Sequence, residues 1–254
     1  MYYYILESSG KKSEVWQEKV KNILGDLGIA GETVSPSPAR TIEELASLGI
    51  VKGYSTIVAV GSEKIVNKVA TAIINQKENN DVVLGVIPED FNSPIAQEIQ
   101  VKDLKHACET LKTRKLKTMD ACFIEPNKYF LTKAVIETDS STESYIFTSD
   151  IKANVIFNKI TIKPGLEVTV TDDSATETKK SFFSFLFNKK KAEDNANSFF
   201  HAKRFQIETP GQIMSIKADG DIIAKTPTIL QNRPKVLKII VARDIINSAN
   251  DNHH

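Results

Sequence analysis

The chain is poor in the residues that metal and redox chemistry draw on. Its 254 residues include two cysteines and four histidines. Cys108 and Cys122 form no metal or redox spacing. Two isolated thiols suit a reducing compartment and read as small buried side chains. His106 falls in a helical pattern and His201 beside a strand, neither with partners at metal-ligand spacing. An excess of one charge is missing as well. Thirty-three Lys+Arg against 32 Asp+Glu leave a formal net charge of +1, so no global field draws the chain to nucleic acid. No apolar run approaches the ~20 residues of a membrane span. Met1-Tyr2-Tyr3-Tyr4-Ile5-Leu6 has no basic leader and reads as a strand rather than a signal peptide. There is no Gly-x-Ser-x-Gly elbow and no lysine-bearing Walker loop. Ser8-Ser9-Gly10-Lys11-Lys12 has the end of a Walker motif without its upstream glycine.

What is present is ordinary globular composition, long enough for one large domain or two modest ones. The first ~115 residues alternate strand and helix signals. Strands are expected at Tyr2–Leu6, Glu32–Ser35, Thr56–Val60 and Val82–Ile87. Between them, Ser13 is placed as the N-cap of a helix ended by Gly28, and Thr41 with Glu44 forms a capping box. Further helices are expected at Ser62–Asn75, Ser93–Gln100 and Lys102–Lys112. This order argues for a doubly wound parallel sheet, whose ligands lie outside the carboxyl ends of the strands. Ser8–Lys11, Ser35–Ser37, Gly61–Lys64 and Pro88–Asn92 would then surround one crevice.

After Leu116 the pattern changes to short strands: Tyr129–Glu137, Ser144–Thr148, Asn154–Lys163, Leu166–Thr171, Phe205–Glu208, Ile213–Lys217, Asp221–Ala224 and Val236–Ala242. Without long helices between them, they suggest an antiparallel sandwich. Asp172–Lys180 reads as a loop. Ser181-Phe182-Phe183-Ser184-Phe185-Leu186-Phe187-Asn188-Lys189-Lys190-Lys191 admits two readings, a buried element with a basic end or a membrane-surface contact. The polar end, Asn250-Asp251-Asn252-His253-His254, is expected to lie outside the fold.

The junction Thr56-Ile57-Val58-Ala59-Val60-Gly61-Ser62-Glu63-Lys64 carries the strongest chemical signal. A buried strand stops at a glycine and a helix begins at once. Backbone N–H groups at a helix start are unpaired and suit a phosphate.

Ala202-Lys203-Arg204-Phe205-Gln206-Ile207-Glu208-Thr209-Pro210, then Ala218-Asp219-Gly220-Asp221, Thr226-Pro227 and Pro234-Lys235-Val236-Leu237-Lys238-Ile239-Ile240-Val241, resembles the C-terminal part of diacylglycerol kinase and sphingosine kinase-type lipid kinases. The first half is similar too, through the tyrosine-rich first strand, Leu84-Gly85-Val86-Ile87-Pro88, and Asp120 followed by Tyr129-Phe130. The resemblance implies a Rossmann-like α/β domain of the NAD-kinase and diacylglycerol-kinase kind, residues 1–115, and an antiparallel β-sandwich domain, residues 116–242. Residues 243–254 would form a tail returning to the first domain. It implies transfer of the γ-phosphoryl group of ATP, with Mg²⁺, to a diacylglycerol-like hydroxyl in the cleft between domains. That chemistry is mostly positioning and charge stabilisation.

Carried over by position, Gly61, Ser62, Glu63, Lys64 and Asn67 would meet the nucleotide, Glu63 would serve the metal, and Asp219 would be the general base. The family's glycine-glycine-aspartate-glycine-threonine loop reads Gly61-Ser62-Glu63-Lys64-Ile65 here, and its later glutamate is Lys68. Its second glycine loop reads Asp90-Phe91-Asn92-Ser93-Pro94, and its opening asparagine-proline pair reads Glu7-Ser8. Lys64 and Lys68, four apart, could replace backbone amides as phosphate contacts. Asp219-Gly220 is equally a hairpin turn signal. The alternative to a kinase is a catalytically inactive relative that binds a nucleotide or lipid. Expected partners are a lipid substrate at a membrane surface and a second copy in a homodimer, with no nucleic acid and no transmembrane segment. The expected location is cytoplasmic, peripheral at the inner membrane surface.

Overall fold

The computed structural model describes residues 1–7, 10–76, 81–148, 152–172 and 196–243. Ser8, Ser9, the Phe182–Lys191 segment and the chain beyond residue 243 lie outside the described residues. The fold is mixed α/β, dominated by β-sheet with few helices. By packing it forms two compact units. One contains Met1–Ala121, Tyr129–Thr132 and the described residues from Arg233 on, and the other contains Cys122–Lys128 and Lys133–Asn232.

In the first unit the elements run β1 (Tyr2–Leu6), α1 (Gly10–Asp26), β2 (Glu32–Val34), α2 (Ile42–Val51), β3 (Thr56–Gly61), α3 (Glu63–Asn75), β4 (Val83–Pro88), α4 (Pro94–Ile99) and α5 (Leu104–Thr113). Every residue of β3 and β4 is buried, as apolar runs covered on both faces should be. The strands pair in parallel in the order β2-β1-β3-β4. Strand β14 (Thr228–Ile240) adds its last residues to β4, with Lys238 beside Val83 and Ile239 beside Leu84.

Local signals set the helix ends. Thr41 Oγ1 accepts from Glu44 N–H at 3.2 Å while Glu44 Oε2 accepts from Thr41 N–H at 2.7 Å, closing the expected capping box. Gly28 has φ +69°, the left-handed stop foreseen after α1. Helix α1 begins at Gly10, so Ser13 lies inside it and is not its N-cap. Lys11 and Lys12 are good helix formers and carry the first turn upstream of the serine. Helix α2 lies close on the sheet at Gly49, where a Cβ would stand 2.6 Å from Tyr3 Cδ1 and 2.8 Å from Ile57 Cδ1.

The second unit is built from β7 (Ala134–Phe147), β8 (Lys152–Lys163), β9 (Glu167–Asp172), β10 (Ala196–His201), β11 (Arg204–Glu208), β12 (Ser215–Ala218), β13 (Asp221–Lys225) and the first residues of β14. Neighbours pair antiparallel in the order β10-β9-β8-β7-β11-β14, and the β12–β13 hairpin joins β7 through β12. Phe157, Phe205, Ile136, Ile146, Ile160 and Leu230 are fully buried on these strands. Strands β5 (Leu116–Ile124) and β6 (Lys128–Phe130) each have residues in both units.

Several strand expectations need correction. Tyr129–Glu137 is two strands, β6 and β7, with Leu131–Lys133 between them. Strand β7 then runs unbroken to Phe147 through the polar stretch 138–143, where its register with β8 shifts between Glu137 and Thr142. Strand β7 keeps one inward face (Ala134, Ile136, Ser144, Ile146), and the buried positions of β8 change from Ile160 and Ile162 to Val155 and Phe157. Among the described residues, no helix is long and apolar enough to cross a membrane.

Gly49→Ala must push both Tyr3 and Ile57 aside, and should lower unfolding stability by about 1–3 kcal/mol in a urea titration. Burial pushes the Cys108 thiol up to about 12, with Glu109 adding to the effect. The unfolded thiol ionises first as pH rises, so stability should fall from about pH 9 upward. Iodoacetamide at pH 8 should spare Cys108 until denaturant is added, as mass spectrometry of the tryptic peptide would show.

Candidate functional site

The chain leaves β1 for β2 on one side, then returns to β3 on the other side of β1. The connections on the two sides part at the carboxyl ends of β1 and β3, the place where sheets of this kind take their ligands. Three segments converge on it. Glu7 follows β1, Gly61-Ser62 ends β3 and starts α3, and Glu89–Asn92 follows β4. Glu7 N–H donates to Val60 O at 3.0 Å and Glu89 N–H to Gly61 O at 2.9 Å, so backbone bonds carry the sheet past its last paired residues.

Gly61 has φ +145°, a conformation open to glycine and strained for other residues. A Cβ there would lie 2.7 Å from Glu7 Oε2 and 2.8 Å from Glu7 Cβ. The glycine is therefore required twice, by its dihedral and by the side chain packed against it. Ser62 is the N-cap of α3, but its hydroxyl makes no capping bond. Its N–H instead donates to Glu7 Oε2 at 2.8 Å. A carboxylate at a helix start is favoured both by the charge-assisted hydrogen bond and by the helix dipole.

The other loop residues expected to meet the nucleotide have protein partners. Glu63 Oε1 accepts from Ile95 N–H at 3.2 Å and so ties α3 to the start of α4. Lys64 is half-buried on the first turn of α3. Asn67 is only 8% exposed, and its Nδ2 donates to Tyr129 O at 2.6 Å. Lys68, expected to act with Lys64, lies 3.7 Å from Glu43 on α2. Ile65 is fully buried. After β4, Asn92 N–H donates to Asp90 Oδ1 at 2.8 Å, and Ser93 caps α4 through Ala96 N–H at 3.3 Å. An aspartate turn and a serine cap thus shape the segment that the glycines of the second family loop would otherwise form.

Among the described residues, no group of three or more His, Cys, Asp or Glu side chains could hold a metal ion. Mg²⁺ is commonly held by one or two carboxylates together with substrate phosphates. Glu63 is the acid at this loop, and one of its oxygens is engaged at Ile95. Among the described residues, the protein side chains alone do not make a metal site.

Asp219 belongs to the second unit. It and Gly220 form the β12–β13 turn, with φ +44° and +78°, the backbone of a type I′ hairpin. Its side chain is unusual for a turn residue in being only 6% exposed. Asp120 Oδ1 accepts from Lys235 N–H at 2.8 Å, which holds a left-handed residue of β14 with φ +53°.

Glu7 was not among the expected site residues. Gln17 Nε2 donates to Glu7 O at 2.7 Å, so α1 fixes its backbone as well. The available signal was its place at the end of the first strand, where the lipid-kinase pattern has an uncharged asparagine.

No family model and no curated protein sequence matches the chain. Solved structures do. A protein of Bacillus anthracis str. Sterne assigned as a diacylglycerol kinase aligns with a TM-score of 0.77 at 11% identity, over 96% of this chain and 97% of its own. Another structure of a diacylglycerol kinase from that strain gives 0.73 at 11% identity, over 96% and 97%. An NAD kinase from Archaeoglobus fulgidus, in complex with ATP, gives 0.52 at 9% identity, over 99% and 98%. The chain has the fold of the diacylglycerol kinases, shared more distantly with the NAD kinases.

Asn67→Ala would leave the Tyr129 carbonyl without this buried donor. The expected cost is about 1–3 kcal/mol in urea unfolding.

Proposed function

We propose that this chain is a divergent lipid kinase-type protein. In this reading it binds ATP at the carboxyl ends of β1 and β3 and passes the γ-phosphoryl group to the hydroxyl of a diacylglycerol-like lipid. The observation that carries the proposal is the Gly61–Ser62 turn. A glycine at φ +145° and a helix-start amide, at the switch point of a parallel sheet, already hold a carboxylate. The fold shared with diacylglycerol kinases supports the lipid as acceptor. The ATP in the NAD kinase structure supports a nucleotide as donor. The division at residues 115 and 116, with a sandwich-type second domain and residues 243–254 returning to the first, belongs to this proposal.

The residues then have separable roles. Gly61 and Ser62 would present backbone to the phosphates, with Lys64 adding a cation on the same helical turn. Asn67 would act from behind, by fixing α3 against Tyr129. Asp219 would take the proton from the lipid hydroxyl as it attacks the γ-phosphorus, and the β–γ bridging oxygen would leave with ADP. Mg²⁺, when bound with the nucleotide, would offset the charge of the phosphates, with Glu63 as the nearest protein acid in the loop. The lipid would be met at a membrane surface, on the cytoplasmic side, by the protein alone or as a homodimer.

A second reading has its own support. Glu63, Asn67 and Lys68 are all held by protein partners, as suits a relative that binds nucleotide or lipid without transfer.

Radiolabelled ATP with a panel of lipid alcohols separates the two. Labelled phospholipid is expected under the first reading, while ATP binding without labelling of any alcohol would establish the second. Asp219→Asn is the informative variant, because asparagine tolerates the left-handed backbone at φ +44° and keeps the turn. It should lower transfer by about 10²–10⁴-fold with ATP affinity unchanged.

A further inference from the structure

We infer that the Glu7 carboxylate is an internal competitor for the nucleotide phosphate, and that ATP enters the Gly61–Ser62 turn only by displacing it. This rests on the reading of that turn as the phosphate-binding loop. The first amide of the loop is already bonded, with Glu7 Oε2 2.8 Å from Ser62 N. Glu7 has little freedom to leave as a whole residue. Its N–H is bonded to Val60 O at 3.0 Å and its carbonyl to Gln17 Nε2 at 2.7 Å. Its Cβ fills the space beside Gly61, 2.8 Å from where a side chain on that glycine would begin. Only the end of the side chain can swing away.

Two anions cannot share one N–H donor. A phosphate drawn to the helix start would meet a fixed negative charge at hydrogen-bond distance from the same amide, in a half-buried setting where such repulsion is weakly screened. The lipid-kinase pattern has an asparagine at this position, which can face the loop without adding charge. The glutamate therefore makes the loop selective against anions in its resting state. Lys64 on the first turn of α3 then gains a role, since a cation there can draw the carboxylate or the incoming phosphate.

The test is isothermal titration of ATP–Mg²⁺, and separately of inorganic tripolyphosphate, into the full chain and into Glu7→Gln. Glutamine keeps length and packing and removes only the charge. Glu7→Gln should bind both ligands about tenfold or more tightly than the unaltered protein. The Ser62 amide resonance should move on substitution and again on adding ATP. Equal, measurable affinities in the two proteins would overturn the inference and leave the nucleotide reading standing. Absence of binding in both would overturn the inference and the nucleotide reading together. Should Glu7→Gln fail to fold, Glu7→Asp puts the same question. It draws the carboxylate back from Ser62 by one methylene, so binding should tighten, and an unchanged affinity would count against the inference.

Discussion

The parallel ladder of β3 between β1 and β4 is the constraint on which the candidate site depends. Five residues of β3 pair with β1 and six with β4, all of them buried. Register in such a ladder cannot slip without turning core residues around. It therefore fixes which residues emerge together at the carboxyl ends, namely Glu7 from β1, Gly61 from β3 and Glu89 from β4. The meeting of Glu7 Oε2 with Ser62 N–H is a consequence of the pairing of Leu6 with Val60 just before them.

With that frame in place, the substitutions around Gly61 form a consistent set. Positions where the lipid-kinase pattern has glycine, aspartate, threonine or glutamate carry other side chains here, and several have found partners within the fold. Glu63 reaches α4, Lys68 reaches Glu43, and Ile65 joins the core. The aspartate turn at Asp90 and the serine cap at Ser93 do for the second loop what backbone freedom would do with glycine. Side-chain bonds thus hold a backbone that a glycine-rich loop leaves free, and Gly61 alone keeps a conformation few other residues could adopt.

Features encoded within a few residues are legible in the sequence. The Thr41–Glu44 box, the Gly28 stop and the Asp219-Gly220 turn each depend on neighbours along the chain, so composition and spacing suffice. The alternation of strand and helix signals to residue 115 likewise announced the parallel sheet. What escaped depends on distant partners. The Glu7–Ser62 bond spans 55 positions, and nothing near Glu7 marks it as a ligand for an amide. Strand β7 hides its length because residues 138–143 are all polar, which leaves no apolar alternation between Ile136 and Tyr145 to reveal it. Strand β5 gives no clear signal where Lys117 and Asp120 interrupt its apolar residues, and Asp120 has its partner at Lys235.

Strand β14 has a consequence in time. The outer edge of β4 is closed by residues near the end of the described chain, and Lys238 Nζ meets Asp81 Oδ1 at 2.9 Å across 157 positions of sequence. A ribosome adding about 5–20 residues per second would need roughly 10–30 s to make the chain between them. Through that interval β4, buried and apolar in the finished fold, presents an unpaired edge to whatever is nearby. The order of synthesis therefore makes the parallel sheet the first part begun and among the last completed, with its most adhesive strand waiting longest for its neighbour.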